Sequence, residues 1–229
     1  MIKSCMWIPL VITAVVAAAL PLRGSAQGHG QAEQRYRWDP NSIEWRDAKP
    51  IEAPVPLNLR HKNRELVRLG SYLVNVVGGC NDCHSAGPQT QFARGGNPFF
   101  GQPAVVNQET YLSGGRNFGS PVPVPGTPPI ISRNLTPDRY GRPGGHSYAE
   151  FLHALRTGTD LDHAHPTCGA TVTENCLPPP FNGDLMQIMP WPEYRDMPEF
   201  EVRAMYEYLS AIPCIAGPPA PSILHNDCI

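Results

Sequence analysis

Two thiols and an imidazole stand close together in the run Cys80-Asn81-Asp82-Cys83-His84. Thiols at this spacing can bond the two vinyl groups of one haem, while the adjacent imidazole reaches the iron from one face. The run therefore predicts one covalently attached haem c, with its iron, held by Cys80, Cys83 and His84. The chain contains no second run of this kind.

Two other kinds of site use paired cysteines, and each needs a context that this sequence lacks. A redox-active dithiol is expected beside a βαβ pattern, and a zinc site needs a second pair of ligands at matching spacing. Neither accompanies Cys80 and Cys83. His163 and His165 form a His-x-His pair, but two ligands without a third nearby make a poor metal site.

An iron bound by His84 needs a second axial ligand, which a thioether or another imidazole supplies. The downstream candidates are the remaining histidines and Met186, Met189, Met197 and Met205. The last two lie at the start and in the stripe of a predicted helix, where packing is the commoner role. Pro190 biases Met189 toward an extended backbone, which presents its side chain from a loop. Met189 is the predicted ligand of the iron, with Met186 as the alternative.

The second nitrogen of the His84 ring needs an acceptor that fixes the tautomer and the orientation of the imidazole. The carbonyl groups of residues 85–88 are the nearest in sequence, so we expect the acceptor there. Thioether ligation on the other face of the haem would fill the sixth position and favour electron transfer over the binding of small gases.

The helix that leads into the motif is predicted from its cap and its apolar stripe. Asn63 is a suitable N-cap, and Gly78-Gly79 ends the helix immediately before Cys80. The stripe consists of Leu66, Leu69, Leu73, Val76 and Val77. This pattern predicts that one helical face packs on the core and that the motif begins where the helix stops.

Two further helices are predicted downstream. Ser147 and Glu150 form a capping box ahead of an amphipathic helix that ends near Gly158. Asp196 and Glu199 repeat the same capping pattern before a last helix. Together with the first helix, they could surround one buried cofactor.

Long segments rich in proline and glycine separate these helices. We predict an extended arm over 27–60 and a domain over 61–229, with loop inserts at about 89–132 and 159–180. Because strand signals are weak, the predicted fold class is all-α, with three to five helices around one haem. Such a small core is marginal alone, and a buried macrocycle is its natural filler.

The first 26 residues have the pattern of a signal peptide. Lys3 precedes an apolar stretch over 6–20, and Gly24-Ser25-Ala26 supplies small residues for cleavage near Ala26. About 15 apolar residues span roughly 22 Å, short of the roughly 30 Å hydrocarbon core, so export to the periplasm is favoured over a permanent membrane helix. An uncleaved anchor is the alternative.

Charge and cysteine content add two expectations. The 18 basic and 20 acidic residues give a formal net charge of −2, which argues against a nucleic-acid partner. Four of the seven cysteines remain after Cys5 and the haem pair are set aside. Three connectivities are open, and the shortest loops pair Cys168 with Cys176 and Cys214 with Cys228.

An ordered set of motifs from about Arg64 to Pro213 resembles the cytochrome c domains of periplasmic alcohol, aldehyde and sugar-acid dehydrogenases. The motifs are Ser113-Gly114-Gly115-Arg116, Asn134-Leu135-Thr136-Pro137-Asp138, Tyr148-Ala149-Glu150-Phe151, Ala154-Leu155-Arg156-Thr157-Gly158, Met189-Pro190-Trp191 and Tyr206-Glu207-Tyr208-Leu209. The insert that carries Cys168 and Cys176 lies outside this pattern. Many relatives also carry three haem domains, whereas this chain has one motif.

The resemblance implies a class I cytochrome c fold in which the first and last helices cross near Gly70 and Tyr206. It also implies Met189 as the distal ligand. Asn134 would lie beside the haem with the residues up to Asp138, where it helps to position the propionates or the distal loop. An Asx-type turn before Pro137 is the alternative role of Asn134.

These expectations define a periplasmic one-electron carrier with no catalytic residues of its own. A periplasmic dehydrogenase would be the electron donor, and a downstream cytochrome or oxidase the acceptor. Membrane contact would arise only through partners or an uncleaved signal. The alternatives are a haem-based sensor in which Met189 dissociates readily and a peroxidase-like enzyme with an open iron site.

Overall fold

The computed structural model describes residues 53–122, 124–173 and 175–229. The predicted signal peptide, 1–26, and the predicted arm up to residue 52 lie outside these ranges. The end of the arm, which is described, packs on the domain: Val55 is buried, and the Asn58 backbone N–H donates to the Ala211 carbonyl over 2.8 Å. Among the described residues, no helix has the length and apolarity needed to cross a membrane.

Helix α1 spans Arg64–Tyr72 and begins where the sequence predicts. The Asn63 side chain accepts hydrogen bonds from the backbone N–H groups of Glu65 and Leu66, over 3.0 and 3.2 Å. The chain continues as a π-helical turn over Leu73–Val77. Gly79 then takes a left-handed conformation, with φ 53°, which separates this helix from the motif.

The π-helical turn changes which residues face the core. Leu69 and Leu73 of the predicted stripe are buried, but Val76 and Val77 are 54% and 58% exposed. A π-turn holds one more residue than an α-turn, so residues after Leu73 no longer fall on the helical face that the α-helical spacing predicts. The prediction that both valines pack on the core is wrong, and Val74 occupies the buried position instead.

The remaining helices are short or follow long loops. They are α2 (Cys80–Cys83), α3 (Pro88–Gln91), a 3₁₀-helix (Pro98–Phe100), α4 (Tyr148–Thr157), α5 (Trp191–Tyr194) and α6 (Glu199–Leu209). Elsewhere in the described ranges, extended backbone pairs only at isolated bridges. The assignment to the class I cytochrome c fold stays a prediction.

The two predicted capping boxes have different outcomes. Ser147 and Glu150 form both reciprocal hydrogen bonds of the box, and α4 ends at Gly158, as predicted. The second box is wrong, because α6 begins after Pro198 and has no side-chain cap. A residue that precedes proline is pushed out of the helical region, so Met197 cannot continue a helix from Asp196.

Helices α1 and α6 cross at Gly70. A Cβ atom there would overlap the carbonyl oxygen of Ala204 and approach Cβ of Tyr208, so only glycine permits this approach. The residues of α6 that lie at the crossing are therefore Ala204 and Tyr208, and not Tyr206 as predicted. The Tyr206 ring instead packs edge-on against Tyr148 of α4, with centroids 5.4 Å apart.

The insert at 89–132 is tied to this helix pair by a buried hydrogen-bonded group. The Tyr111 hydroxyl lies 2.8 Å from that of Tyr208 and donates to Oδ1 of Asn75 over 2.6 Å. Isolated bridges then fold the insert back on itself at Phe92 with Val106 and at Asn117 with Ile131.

Two disulfide bonds close the other loops. Cys168 is bonded to Cys176 within the insert at 159–180, and Cys214 is bonded to Cys228 in the C-terminal tail. The pairing predicted from loop length is confirmed. Cys80 and Cys83 are the free cysteines of the described part.

Candidate functional site

A cavity of about 330 Å³ lies against α2 and is bordered by Cys80, Cys83 and His84. Met186 and Met189, from the segment before α5, also border it. Much of the remaining lining is apolar and comes from the 130–135 segment, α4 and α6, including Ile130, Leu135, Phe151, Leu155, Met205 and Leu209. The cavity therefore joins the motif to parts of the chain that lie from about 45 to about 125 residues downstream.

The two cysteines stand three residues apart in the single turn of α2, a spacing that places side chains on the same helical face. Burial raises the pKa of the Cys80 thiol to about 12, and the neighbouring Cys83 thiol adds to this effect. A redox-active dithiol needs a lowered thiol pKa. The environment of Cys80 thus argues against the dithiol alternative.

The His84 ring is oriented by a residue that lies far away in sequence. Its Nδ1 lies 2.8 Å from the carbonyl oxygen of Arg133, which can only accept, so Nδ1 carries the proton and Nε2 keeps its lone pair. The prediction of an acceptor within residues 85–88 is wrong, because the 130–135 segment packs against the motif and offers its backbone first.

Burial lowers the pKa of His84, and the positive charge of Arg133 acts in the same direction. The hydrogen bond to the Arg133 carbonyl opposes this shift without reversing it. The ring is therefore neutral near neutral pH, which is the form that binds a metal.

The segment that carries both candidate methionines is docked on the end of α4. The Met186 backbone N–H donates to the Gly158 carbonyl over 2.7 Å. The Trp191 indole lies so close to Gly158 that a Cβ there would overlap the ring. Because both Met186 and Met189 reach the cavity, the choice of Met189 stays a prediction.

Asn134 borders the cavity, but its side-chain amide is engaged elsewhere. Its Oδ1 accepts from the Thr136 backbone N–H over 3.0 Å and from the Thr136 hydroxyl over 2.7 Å, which makes the turn that was the alternative role. Its Nδ2 donates to the carbonyls of Ile215 and Leu224, over 2.8 and 3.2 Å. Asn134 thus holds the C-terminal tail, and Asn226 beyond it also borders the cavity.

A charged turn follows Asn134 and places Pro143 against the cavity. The buried Asp138 carboxylate accepts from the Arg142 guanidinium Nε over 2.8 Å and from the Tyr140 and Arg142 backbone N–H groups, over 2.8 and 2.9 Å. Burial opposes ionisation of Asp138, but these hydrogen bonds outweigh it and hold the pKa of the carboxyl below its usual value.

Replacing Asp138 with asparagine should lower the free energy of unfolding at neutral pH by about 2 kcal/mol, because a charge-assisted set of hydrogen bonds is lost. Since the folded-state pKa lies below the ordinary value of 3.8, the contribution of the carboxylate is fully present above that value and disappears as the pH falls through the folded-state pKa. Urea unfolding at neutral and acidic pH measures the difference.

Asp184→Asn is the matched control, because Asp184 is exposed and should show little effect at either pH. A difference between wild type and Asp138→Asn that stays constant down to acidic pH would contradict this account of the turn.

The residues present fit a covalently attached haem. The donor set comprises two unbonded thiols on one helical turn, a neutral imidazole whose Nε2 is available, and two thioethers. The apolar lining suits a macrocycle, and the chemistry of the donors suits an iron that prefers nitrogen and sulfur ligands. Cys80, Cys83, His84 and Met189 are recognisable as candidate donors in the sequence because each is signalled by its immediate neighbours, whereas Met186 has no such signal.

Other residues at the cavity were missed. The C-terminal tail contributes Ser222, Ile223 and His225, and the insert at 159–180 contributes His165. The tail carries no helical or motif signal. His165 has a sequence signal only as half of a His-x-His pair, and this signal does not indicate that the residue borders the cavity.

One curated protein is similar over a substantial length. It is the gluconate 2-dehydrogenase cytochrome c subunit of Pantoea cypripedii, 30% identical over 147 residues, or 64% of this chain. The match covers 23% of that relative, so this chain corresponds to under a quarter of its length. No protein-family model matches the chain, and no solved structure matches it significantly. The similarity relates the chain, in general terms, to a dehydrogenase-associated cytochrome c.

Proposed function

We propose that this chain is a periplasmic c-type cytochrome of the class I fold, which transfers single electrons through one covalently attached haem c. The observation that carries the proposal is the cavity, because it gathers both motif cysteines, His84 and Met189 from separate parts of the chain. The similarity to a dehydrogenase cytochrome c subunit supports the same function independently. Export by a signal peptide, cleaved near Ala26, belongs to the proposal.

Different residues would hold different parts of the cofactor. Cys80 and Cys83 would fasten the porphyrin by thioether bonds, and His84 would bind iron through Nε2 while the Arg133 carbonyl fixes its ring. Met189 would occupy the opposite axial position. When bound, the haem supplies one-electron exchange at its iron. With both axial positions filled, the iron has no open position for a substrate or a small gas, so the proposed role is that of an electron carrier.

A periplasmic dehydrogenase is the proposed electron donor, and a downstream cytochrome or oxidase the acceptor. Oxidation of an alcohol or sugar acid releases two electrons, whereas one haem accepts one. The donor must therefore deliver its electrons in two steps, either to two carrier molecules or to one carrier that is reoxidised between them. Small, transient interfaces suit such repeated encounters.

The proposal is tested with protein matured in a host that exports and attaches haem. Purified oxidised protein is mixed with a gluconate dehydrogenase and gluconate, and the reduced haem bands are followed. We expect reduction that depends on both enzyme and substrate, and the reduced protein should bind carbon monoxide slowly or not at all. Rapid stoichiometric binding of carbon monoxide, without reduction by any periplasmic dehydrogenase tested, would instead support the sensor or enzyme alternatives.

A further inference from the structure

Ile188 adopts a backbone conformation that costs free energy. Its φ angle is 70°, in the left-handed region that residues with a branched Cβ avoid. Among the described residues, it is the only β-branched residue with a positive φ. Strained backbone of this kind persists where surrounding contacts hold it, and it clusters at functional sites. Ile188 directly precedes Met189, so the strain lies next to the proposed axial ligand.

Met189 lies between two three-residue turns. Its backbone N–H donates to the Gln187 carbonyl over 2.8 Å, which together with the φ of Ile188 makes a γ-turn of the rare, strained form. Its carbonyl accepts from the Trp191 N–H over 2.8 Å, and Pro190, with φ −78° and ψ 51°, makes the common inverse γ-turn. Both backbone polar groups of Met189 are thus engaged, and the conformation of Ile188 determines where its side chain begins.

Contacts on both sides of the strained turn hold it in place. The amide Nε2 of Gln187 donates to the carbonyls of Asn182 and Leu185, over 2.9 and 2.8 Å. The segment 186–191 is also fixed at Gly158 at both ends, by a backbone hydrogen bond of its first residue and by the indole ring of its last. Gln187 therefore ties the interior of the segment to the loop before it, next to the strained residue.

The strained turn affects the two candidate methionines differently. Met186 precedes the turn, and its backbone is held by Gly158. Met189 follows the turn, and relaxation of Ile188 to an ordinary φ of roughly −70° would rotate the chain beyond it by about 140°. Such a rotation would carry the Met189 side chain away from its place at the cavity. The contacts that hold the turn thus decide whether Met189 can reach the iron.

We propose that Gln187 is a positioning residue for the axial ligand: its two hydrogen bonds hold Ile188 in the strained γ-turn, and the turn keeps the Met189 thioether at the iron. This inference rests on the proposed function. Without these hydrogen bonds, Ile188 would relax and the iron would become accessible to external ligands. Because glycine adopts a left-handed conformation without strain, a glycine at position 188 should make the turn independent of Gln187.

Binding of imidazole to the oxidised, haem-loaded protein tests the inference, because imidazole must displace the Met189 thioether from the iron. Gln187→Ala should bind imidazole about tenfold more tightly than wild type, the factor that corresponds to roughly 1.4 kcal/mol of released strain. Ile188→Gly should bind it no more tightly than wild type. The double variant Gln187→Ala/Ile188→Gly should return most of the way to the wild-type affinity, because little strain is left to release.

Two variants serve as matched controls. Gln108→Ala removes another glutamine amide that donates to a backbone carbonyl, that of Pro54, and neither residue borders the cavity. Its imidazole affinity should equal that of wild type. Ile223→Gly, combined with Gln187→Ala, removes an exposed isoleucine that borders the cavity but has no positive φ. It should not restore the wild-type affinity, so a rescue by Ile188→Gly reports the backbone and not the lost side chain.

A wild-type imidazole affinity in Gln187→Ala would overturn the inference, and so would equal affinities of Gln187→Ala and the double variant. If Gln187→Ala does not mature, Gln187→Glu takes its place, because the carboxylate keeps the size of the side chain but cannot donate. Failure of the proposed function is distinct. Wild-type protein would then carry no covalent haem, or the far-red thioether-to-iron band would survive in Met189→Ala.

Discussion

Met189→Ala should abolish the weak far-red band of thioether-to-iron ligation and lower the midpoint potential by on the order of 0.1 V or more. The reason is that a thioether stabilises ferrous iron, and its removal leaves water or a stronger donor in its place. Carbon monoxide should then bind the reduced protein rapidly. Visible spectra of the oxidised protein and a redox titration measure both effects.

Met186→Ala is the matched control, because both methionines border the same cavity on the same docked segment. It should keep the far-red band and shift the potential far less than Met189→Ala does. The reverse pattern, with the band lost in Met186→Ala and kept in Met189→Ala, would move the axial role to Met186.

Gly70→Ala should lower the free energy of unfolding by about 3 kcal/mol. Inside a helix, alanine is normally preferred over glycine by about 1 kcal/mol, so the expected sign is the reverse of the intrinsic preference. The cause is the crossing of α1 and α6, where the added methyl group would overlap the Ala204 backbone. Backbone cannot move aside as a flexible side chain can, so the two helices must separate. Thermal or denaturant unfolding of the purified protein measures the loss.

Gly169→Ala is the control for this experiment, because a Cβ there would have no neighbour within 4 Å. Its stability should stay within about 0.5 kcal/mol of wild type. A Gly70→Ala variant as stable as Gly169→Ala would show that the helices do not cross as closely as described.

Local signals explain what the sequence predicts well. The cap at Asn63, the capping box of Ser147 and Glu150, and the spacing of Cys80 and Cys83 each act within about four residues. The two disulfides also follow from short closure lengths, with separations of 8 and 14 residues. In each case, residues close together in the sequence form the hydrogen bonds, the spacing or the short loop on which the prediction rests.

Contacts between segments far apart in the sequence cannot be predicted from such local signals. The acceptor for His84 is the carbonyl of a residue 49 positions away, and Asn134 binds carbonyls 81 and 90 positions away. The π-helical turn at Leu73–Val77 could not be predicted from the helical periodicity either, because it changes the number of residues per turn. His165 belongs to the same class, since only the folded chain shows that it borders the cavity.

The most direct measurement of the central claim is the mass and colour of denatured protein that was matured in a host with haem-attachment machinery. The account predicts that the pigment stays with the polypeptide through acid-acetone extraction, and that the mass equals the chain plus one haem. A colourless, haem-free chain after extraction would contradict it.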